Sequence, residues 1–200
     1  MKLFLFSLFF LSVFSCKNHD NPVSGEDNNL QPEEKFNYIA KGDSIVMHTF
    51  DTLRNTLLAA IRNNGFDGAV EFCNIRALPL TGTYENEHVS IKRTSNKIRN
   101  PANLPDSMEQ RVLSGVLSLK DPSAATSSIV EKDPSGKVHY FKPIVMQTVC
   151  LNCHGNSTQI QPRTLEVIRL KYPGDAAIGY KEGDIRGLWH VVFNNKGPGK

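Results

Sequence analysis

The hydrophobic pattern of this 200-residue chain changes character near residue 80. Before that point, apolar residues recur at steps of three and four, which is typical of one face of an amphipathic helix. The recurring positions are Val46, Phe50, Leu53, Leu57 and Ile61. The pattern predicts a helix from about residue 36 to Gly65, and a second helix over residues 67–78 that Pro79 closes.

After residue 80 the pattern is that of short strands. The stretch "HVSIKRT" predicts a strand followed by an extended loop, and residues 107–119 again have helical spacing. Two β-rich runs flank "DPSG" at residues 133–136, which indicates a hairpin, and "GDIRGLWHVVF" predicts a last strand. Helices followed by hairpin strands favour an α+β fold in which the helices pack on an antiparallel sheet.

The N-terminal sequence "MKLFLFSLFFLSVFSC" indicates export. One lysine precedes an apolar run over residues 3–14, which is too short to span a bilayer, and a small residue stands before Cys16. This arrangement is typical of a lipoprotein signal peptide, residues 1–15, with Cys16 as the lipid attachment site. An ordinary signal peptide and a buried N-terminal helix are the alternatives. As a lipoprotein, the chain is anchored to the membrane and faces the periplasm or the cell exterior.

Composition divides the remaining chain into a tether and a domain. Residues 16–35 are polar with two prolines and predict a disordered tether. Residues 36–194 form the predicted folded domain, and residues 195–200 a frayed tail. The net charge of +3 is small and evenly spread, so it does not favour nucleic acid as a partner.

Cys150, Cys153 and His154 have the spacing of a c-type haem attachment site. Two thiols add to the two haem vinyl groups as thioethers, and the adjacent imidazole supplies the proximal iron ligand. One such motif predicts one haem c. The alternatives are zinc, a redox disulfide or plain packing. A zinc site usually needs a second Cys or His pair, and a redox pair usually lies beside a βαβ unit, which is not evident here.

The residues alone leave the ligand on the other side of the iron open. The candidates are Met47, Met108, Met146, His48, His88, His139, His190 and Cys73. Cys73 differs from the others because it is an odd thiol in an exported chain once the remaining three cysteines are assigned. A free cysteine on a helix is also commonly a small buried apolar residue.

Four stretches resemble a family of single-haem, PAS-like c-type cytochromes. They are "EFCNIRA", "IKRTSNKIRNPANLPD", "HYFKPIVMQTVCLNCHG" and "YPGDAAIGYKEGDIRGLWHVVF". They follow the family's order and cover roughly residues 40–194. Members occur as stand-alone exported proteins and as the sensory part of bacterial histidine kinases.

The resemblance implies a PAS-like antiparallel sheet with flanking N-terminal helices and one covalently bound c-type haem. It implies that Cys150, Cys153 and His154 hold this haem on one side. On the other side it implies a cysteine ligand that matches Cys73 within "EFCNIRA".

The resemblance suggests a role in haem binding for the basic stretch between residues 88 and 99. Haem propionates are anionic, and arginine forks suit carboxylates. Arg93, Lys97 and Arg99 are therefore candidate propionate ligands, with Arg186 as a further one. A solvated charged loop is the alternative. Trp189 is expected to pack in the core or against the porphyrin.

Two functions fit these features. The haem either senses redox state or a small ligand, or it carries electrons on a tethered lipoprotein. An enzyme such as a peroxidase is not expected, because Cys/His ligation leaves no vacant iron position. No kinase segment is visible, so a sensor is expected to need a separate signalling or redox protein as its partner.

Overall fold

The computed structural model describes residues 30–194. The predicted signal peptide, the Cys16 lipid site, most of the tether and the 195–200 tail lie outside the described residues. The elements in chain order are α1 (Pro32–Thr81), β1 (Val89–Thr94), α2 (Ser107–Ser118), α3 (Pro122–Ala125), β2 (Ile129–Lys132), β3 (Val138–Val145), α4 (Leu151–His154), α5 (Pro162–Lys171) and β4 (Ile185–Phe193). None of these helices is long and apolar enough to cross a membrane.

The four strands form one antiparallel sheet in the order β1-β4-β3-β2. The β2–β3 hairpin turns at Asp133, as "DPSG" predicted, and β4 lies in the centre of the sheet. The predicted α+β class is confirmed. A four-stranded antiparallel sheet with an N-terminal helix also fits the expected PAS-like fold.

Helix α1 begins at Pro32, four residues before the predicted start at residue 36. Proline suits the first helical position, because its missing N–H would have no partner there. The Glu34 carboxylate accepts a hydrogen bond from the backbone N–H of Gln31 at 3.1 Å and so caps the first turn. The last residues of the predicted tether are therefore helical.

Gly65 divides α1 into two helical segments, in agreement with the predicted stop at Gly65 and the predicted second helix from residue 67. Its φ of 69° and ψ of −175° are open to glycine and interrupt the helix, which resumes at once and continues to Thr81. The predicted end at Pro79 is wrong. The helix continues past Pro79 to Thr81, and its end is held by the Thr81 hydroxyl, which donates to the Ala77 carbonyl at 2.7 Å, and by the Gly82 N–H, which donates to that of Leu78.

The sheet is covered on both faces. Helix α1 packs against the face that carries Val138, Tyr140 and Val191, where a Cβ added to Gly42 would lie 2.3 Å from the Tyr140 ring. Helices α2 and α3 pack against the opposite face around Phe141. We call these the α1 face and the α2 face.

The α2 face contains a buried chain of charged and polar groups. His190 Nδ1 lies 2.7 Å from Glu109 Oε1, and His190 Nε2 lies 2.9 Å from His139 Nδ1. His139 Nε2 lies 3.2 Å from Asp133 Oδ2, and the Lys92 ammonium donates to Glu109 Oε2 at 2.8 Å. We call these five residues the histidine chain.

Candidate functional site

A cavity of about 270 Å³ lies between α1 and the sheet. The predicted stripe of α1 forms one wall, and Leu53, Leu57 and Ile61 are half-buried because they face this space. Trp189 and Ile144 form the sheet wall. Most residues of the amphipathic stripe therefore line a cavity and are not buried in the hydrophobic core.

Cys150, Cys153 and His154 line this cavity together. A 3₁₀ turn over Thr148–Cys150 runs directly into α4. One turn therefore separates the two thiols and places them on one side. Burial raises the pKa of the Cys153 thiol to about 11 despite the nearby Arg99 guanidinium. Within residues 30–194 every cysteine is free.

The His154 imidazole is held by one defined hydrogen bond. Its Nδ1 lies 2.7 Å from the Ala177 carbonyl oxygen, which can only accept, so Nδ1 carries the proton. Burial, with the charges of Arg99 and Arg186, lowers the pKa of His154 well below its usual value. The ring is therefore neutral, and Nε2 keeps a free lone pair, which is the form that binds a metal.

Cys73 lies on α1 beyond the Gly65 break and also lines the cavity. Burial raises the pKa of its thiol, while the charges of Arg93 and Arg99 favour the thiolate. Met146 is the one other predicted axial ligand among the described residues that line the cavity. The structure thus narrows eight candidates to two.

The remaining predicted axial ligands lie elsewhere. His139 and His190 belong to the histidine chain on the α2 face. Met47 and His48 lie on exposed positions of α1, and His88 is exposed just before β1. Met108 packs with the α2 cluster.

The predicted basic residues take different positions. Arg93, Arg99 and Arg186 line the cavity, whereas Lys97 does not. The Lys97 ammonium donates to the Ile178 carbonyl at 2.5 Å and lies 4.4 Å from the centre of the Tyr180 ring. Arg99 pairs with Asp175 through hydrogen bonds of 3.1 and 3.0 Å to its two carboxylate oxygens, and it also donates to the Cys153 carbonyl at 2.7 Å.

Two buried polar atoms that line the cavity have no partner within the described chain. They are Arg93 Nε and Asn103 Oδ1. Burial lowers the pKa of Arg93 to about 10, so the guanidinium stays charged at neutral pH. A buried donor without an acceptor is costly, and an anionic group in the cavity would satisfy it. The apolar walls and the Arg93 guanidinium therefore suit a ligand with an apolar body and a carboxylate.

Sequence reasoning missed the segment that faces α4. The Gly179 N–H donates to the Gly155 carbonyl at 2.8 Å and the Tyr180 N–H to the His154 carbonyl at 3.0 Å. Asp175 and Ala177 contact Arg99 and His154 respectively. These contacts depend on long-range folding, and periodicity carries no signal for them.

The fold and cavity define an α+β, PAS-like protein with a thiol- and imidazole-lined cleft. The model of the Tll0287-like family matches residues 29–194, so the chain belongs to this family. The chain is also similar to a solved structure, the cyanobacterial heme-protein Tll0287, at 20% identity and a TM-score of 0.55, covering 85% of this chain and all of that one. None of the curated proteins compared with the chain matches it.

Proposed function

We propose that the chain binds one haem c in this cavity. Cys150 and Cys153 would form the thioethers, and His154 and Cys73 would be the axial ligands. One observation carries the proposal: three thiols, a neutral imidazole and a buried guanidinium whose Nε has no partner line one cleft. Haem binding by the similar cyanobacterial heme-protein supports it.

The side chains suit this role. His154 offers Nε2 because Nδ1 is held by the Ala177 carbonyl, and such a bond fixes ring orientation and raises ligand basicity. Cys73 must lose its proton to bind iron, and Arg93 favours that charge. When bound, a thiolate-ligated iron supplies a one-electron couple of low potential.

Arg93 is the best-supported propionate ligand. Its Nε has no partner, while its Nη2 donates to the Ala77 carbonyl at 3.3 Å and its Cζ lies 5.7 Å from the Trp189 ring centre. The unpartnered atom of Asn103 is its Oδ1, an acceptor, so it offers no donor to a carboxylate. Arg99 is paired and Lys97 lies outside the cavity, so both lose support in this role.

Within this proposal, sensing of redox state or a small ligand is the favoured function. Cys73 lies on the helical segment beyond Gly65, which the break separates from the first part of α1 and which packs on α5 through Val70. Cys73 would hold the iron as an exchangeable ligand, and the reduced haem would supply a binding position for a small molecule where Cys73 is not bound. This change of ligand could then reach a separate signalling partner.

Electron transfer is the second candidate. Leu78 and Val149 line the cavity and are 39% and 40% exposed. A haem edge beside them would lie near solvent, which suits exchange with a redox partner. Neither function requires catalysis, and we propose that the protein is not an enzyme.

Export and lipid attachment at Cys16 complete the proposal. They rest on the N-terminal sequence alone and place the protein on a membrane facing the periplasm or the cell exterior. Palmitate labelling of wild type against Cys16→Ser tests this part: label in both chains would contradict it.

The haem proposal is tested with purified protein. Mass spectrometry of the denatured chain should show haem retained in wild type and lost in the Cys150→Ala/Cys153→Ala variant. Ferric electron-spin-resonance signals of low-spin thiolate type should vanish in Cys73→Ala and persist in Met146→Leu. A low-spin ferric signal without thiolate character that persists in Cys73→Ala and changes in Met146→Leu would assign Met146 instead.

Carbon monoxide then separates the two functions. Binding by the reduced wild-type protein, with a spectral change that matches reduced Cys73→Ala, supports sensing through loss of Cys73. A reversible one-electron couple without any response to carbon monoxide supports electron transfer.

A further inference from the structure

We propose that Arg99 and Asp175 are positioning residues that fix the axial histidine. The inference rests on the proposed haem function. Both side chains are buried, with 11% and 7% exposed, and they form a bidentate pair. Arginine in this fork geometry holds a carboxylate in one orientation.

The pair connects two separate segments of the site. The Arg99 guanidinium donates to the Cys153 carbonyl at 2.7 Å, next to His154. The Asp175 carboxylate accepts from the Ala177 N–H at 2.9 Å. The Ala177 carbonyl in turn accepts from His154 Nδ1 at 2.7 Å. A closed ring of hydrogen bonds thus joins the ion pair to the imidazole.

Charge gives the pair a second effect. Asp175 compensates the charge of Arg99 beside the cavity. Without that carboxylate, an uncompensated cation would lie beside the haem and favour the ferrous state. A loosened Ala177 carbonyl would weaken the bond to Nδ1 and make His154 a poorer donor to ferric iron. Both changes raise the haem potential.

The test variant is Asp175→Asn, which keeps the shape and removes the charge. The matched control is Asp67→Asn, which removes a carboxylate paired with Arg163 at the same 3.0 Å distance on the surface. We expect Asp175→Asn to retain covalent haem by mass spectrometry, with a raised midpoint potential and changed ferric electron-spin-resonance g values. Asp67→Asn should match wild type in all three.

The outcomes separate this inference from the haem proposal. Wild-type protein without covalent haem would overturn the proposed function itself. Haem-loaded Asp175→Asn with wild-type potential and g values would overturn the positioning role alone. Should that variant fail to fold, Arg99→Lys keeps the charge and loses the fork. A smaller shift of the g values is then expected, and wild-type values would overturn the role.

We infer, independently of any cofactor, that His139 and His190 share one proton beyond those of two neutral rings. The four ring nitrogens take part in three hydrogen bonds. One joins His190 to Glu109, one joins the two rings, and one joins His139 to Asp133. Each contact needs one hydrogen, and ionised carboxylates cannot supply it. Three ring protons on two imidazoles are one imidazolium.

The surrounding charges support this count. Despite burial, hydrogen bonds hold the pKa of Glu109 at about 2, and the same balance holds that of Asp133 at about 2. The two carboxylates at the ends of the histidine chain, Glu109 and Asp133, are thus anionic. The Lys92 ammonium balances the charge of Glu109, and the shared imidazolium balances that of Asp133. Of the neighbouring charges, Asp106 caps α2, and Glu131 pairs with Arg111.

Nitrogen-15 NMR of imidazole-labelled full-length protein at neutral pH counts these protons. We expect three ring N–H protons from His139 and His190 together, all protected from exchange. In His139→Gln, His190 should keep only the proton on Nδ1. A count of two or four in wild type would overturn the inference.

Discussion

The two faces of the sheet differ in how completely their buried polar groups are hydrogen-bonded. On the α2 face, Glu109 is 0% exposed and both of its oxygens have partners. On the α1 face, Arg93 Nε and Asn103 Oδ1 lack partners beside an open cavity. Trp189 and His190, adjacent in β4, belong one to each face. The histidine chain is thus completely hydrogen-bonded, whereas the cavity has a buried guanidinium nitrogen without a partner, which the proposed ligand would supply.

The largest effect is expected from Glu109→Gln. The change removes the buried negative charge that faces Lys92 and the histidine pair, and breaking a buried pair costs about 3–5 kcal/mol. Chemical denaturation should show this loss in the free energy of unfolding. The control is Glu131→Gln, which breaks the more exposed pair with Arg111 and should cost about 0–1 kcal/mol. Equal losses would remove the contrast between buried and exposed charge.

Acid should act through the same carboxylate. The pKa of Glu109 is lowered from 4.5 to about 2, so its contribution to stability is present above pH 4.5 and is lost as pH falls toward 2. The size is roughly 3 kcal/mol at 1.36 kcal/mol per pKa unit. Denaturation between pH 6 and 2.5 measures it. Wild type and Glu109→Gln should converge in stability as pH falls, and parallel curves would contradict this assignment.

A smaller effect is expected where α1 contacts the sheet. Gly42→Ala places a methyl group 2.3 Å from the Tyr140 ring, and overpacking of this kind costs about 1–3 kcal/mol. The control is Gly115→Ala within α2, where no atom lies within 4 Å of the added carbon. That change should stabilise the protein by about 0.4–1 kcal/mol. Thermal unfolding compares the two, and equal shifts would mean that α1 does not rest on this contact.

The smallest effect on folding is expected from Arg93→Met. In the haem-free Cys150→Ala/Cys153→Ala background, the loss should stay below about 1 kcal/mol, since replacing a poorly partnered buried charge by an apolar group is often neutral. The control is Arg99→Met, which strands Asp175 and should cost about 3–5 kcal/mol. In the haem-attaching chain, Arg93→Met should instead destabilise the holoprotein relative to wild type. Equal losses for the two arginines would remove the basis for a ligand at Arg93.

Local pattern predicted much of the fold. The helix at Ser107–Ser118, the Asp133 hairpin and strand β4 follow periodicity and turn chemistry closely. The predicted end of the helix at Pro79 was wrong. The helix continues to Thr81, and helix propensity does not describe the hydrogen bonds that hold its last turn. Helix α5 was not predicted, although Leu165, Ile168 and Tyr172 give it an apolar face.

The candidate site was predictable in part. Spacing singled out Cys150, Cys153 and His154, and resemblance added Cys73. The structure places all four on one cavity, although periodicity could not have brought them together. The partner of Arg99 lies 76 residues away in sequence, so composition suggested a propionate ligand where folding provides Asp175.

The strand order determines how late in folding the cavity can form. Strand β1 pairs only with β4, the last strand of the described chain, and the cysteine motif lies between them in sequence. Until β4 has been synthesised, β1 has no neighbouring strand in the sheet, and the wall formed by Trp189 is missing. Such long-range pairing also folds slowly. For the covalent attachment that we propose, Cys150 and Cys153 would be reached before β4 closes this wall of the cavity.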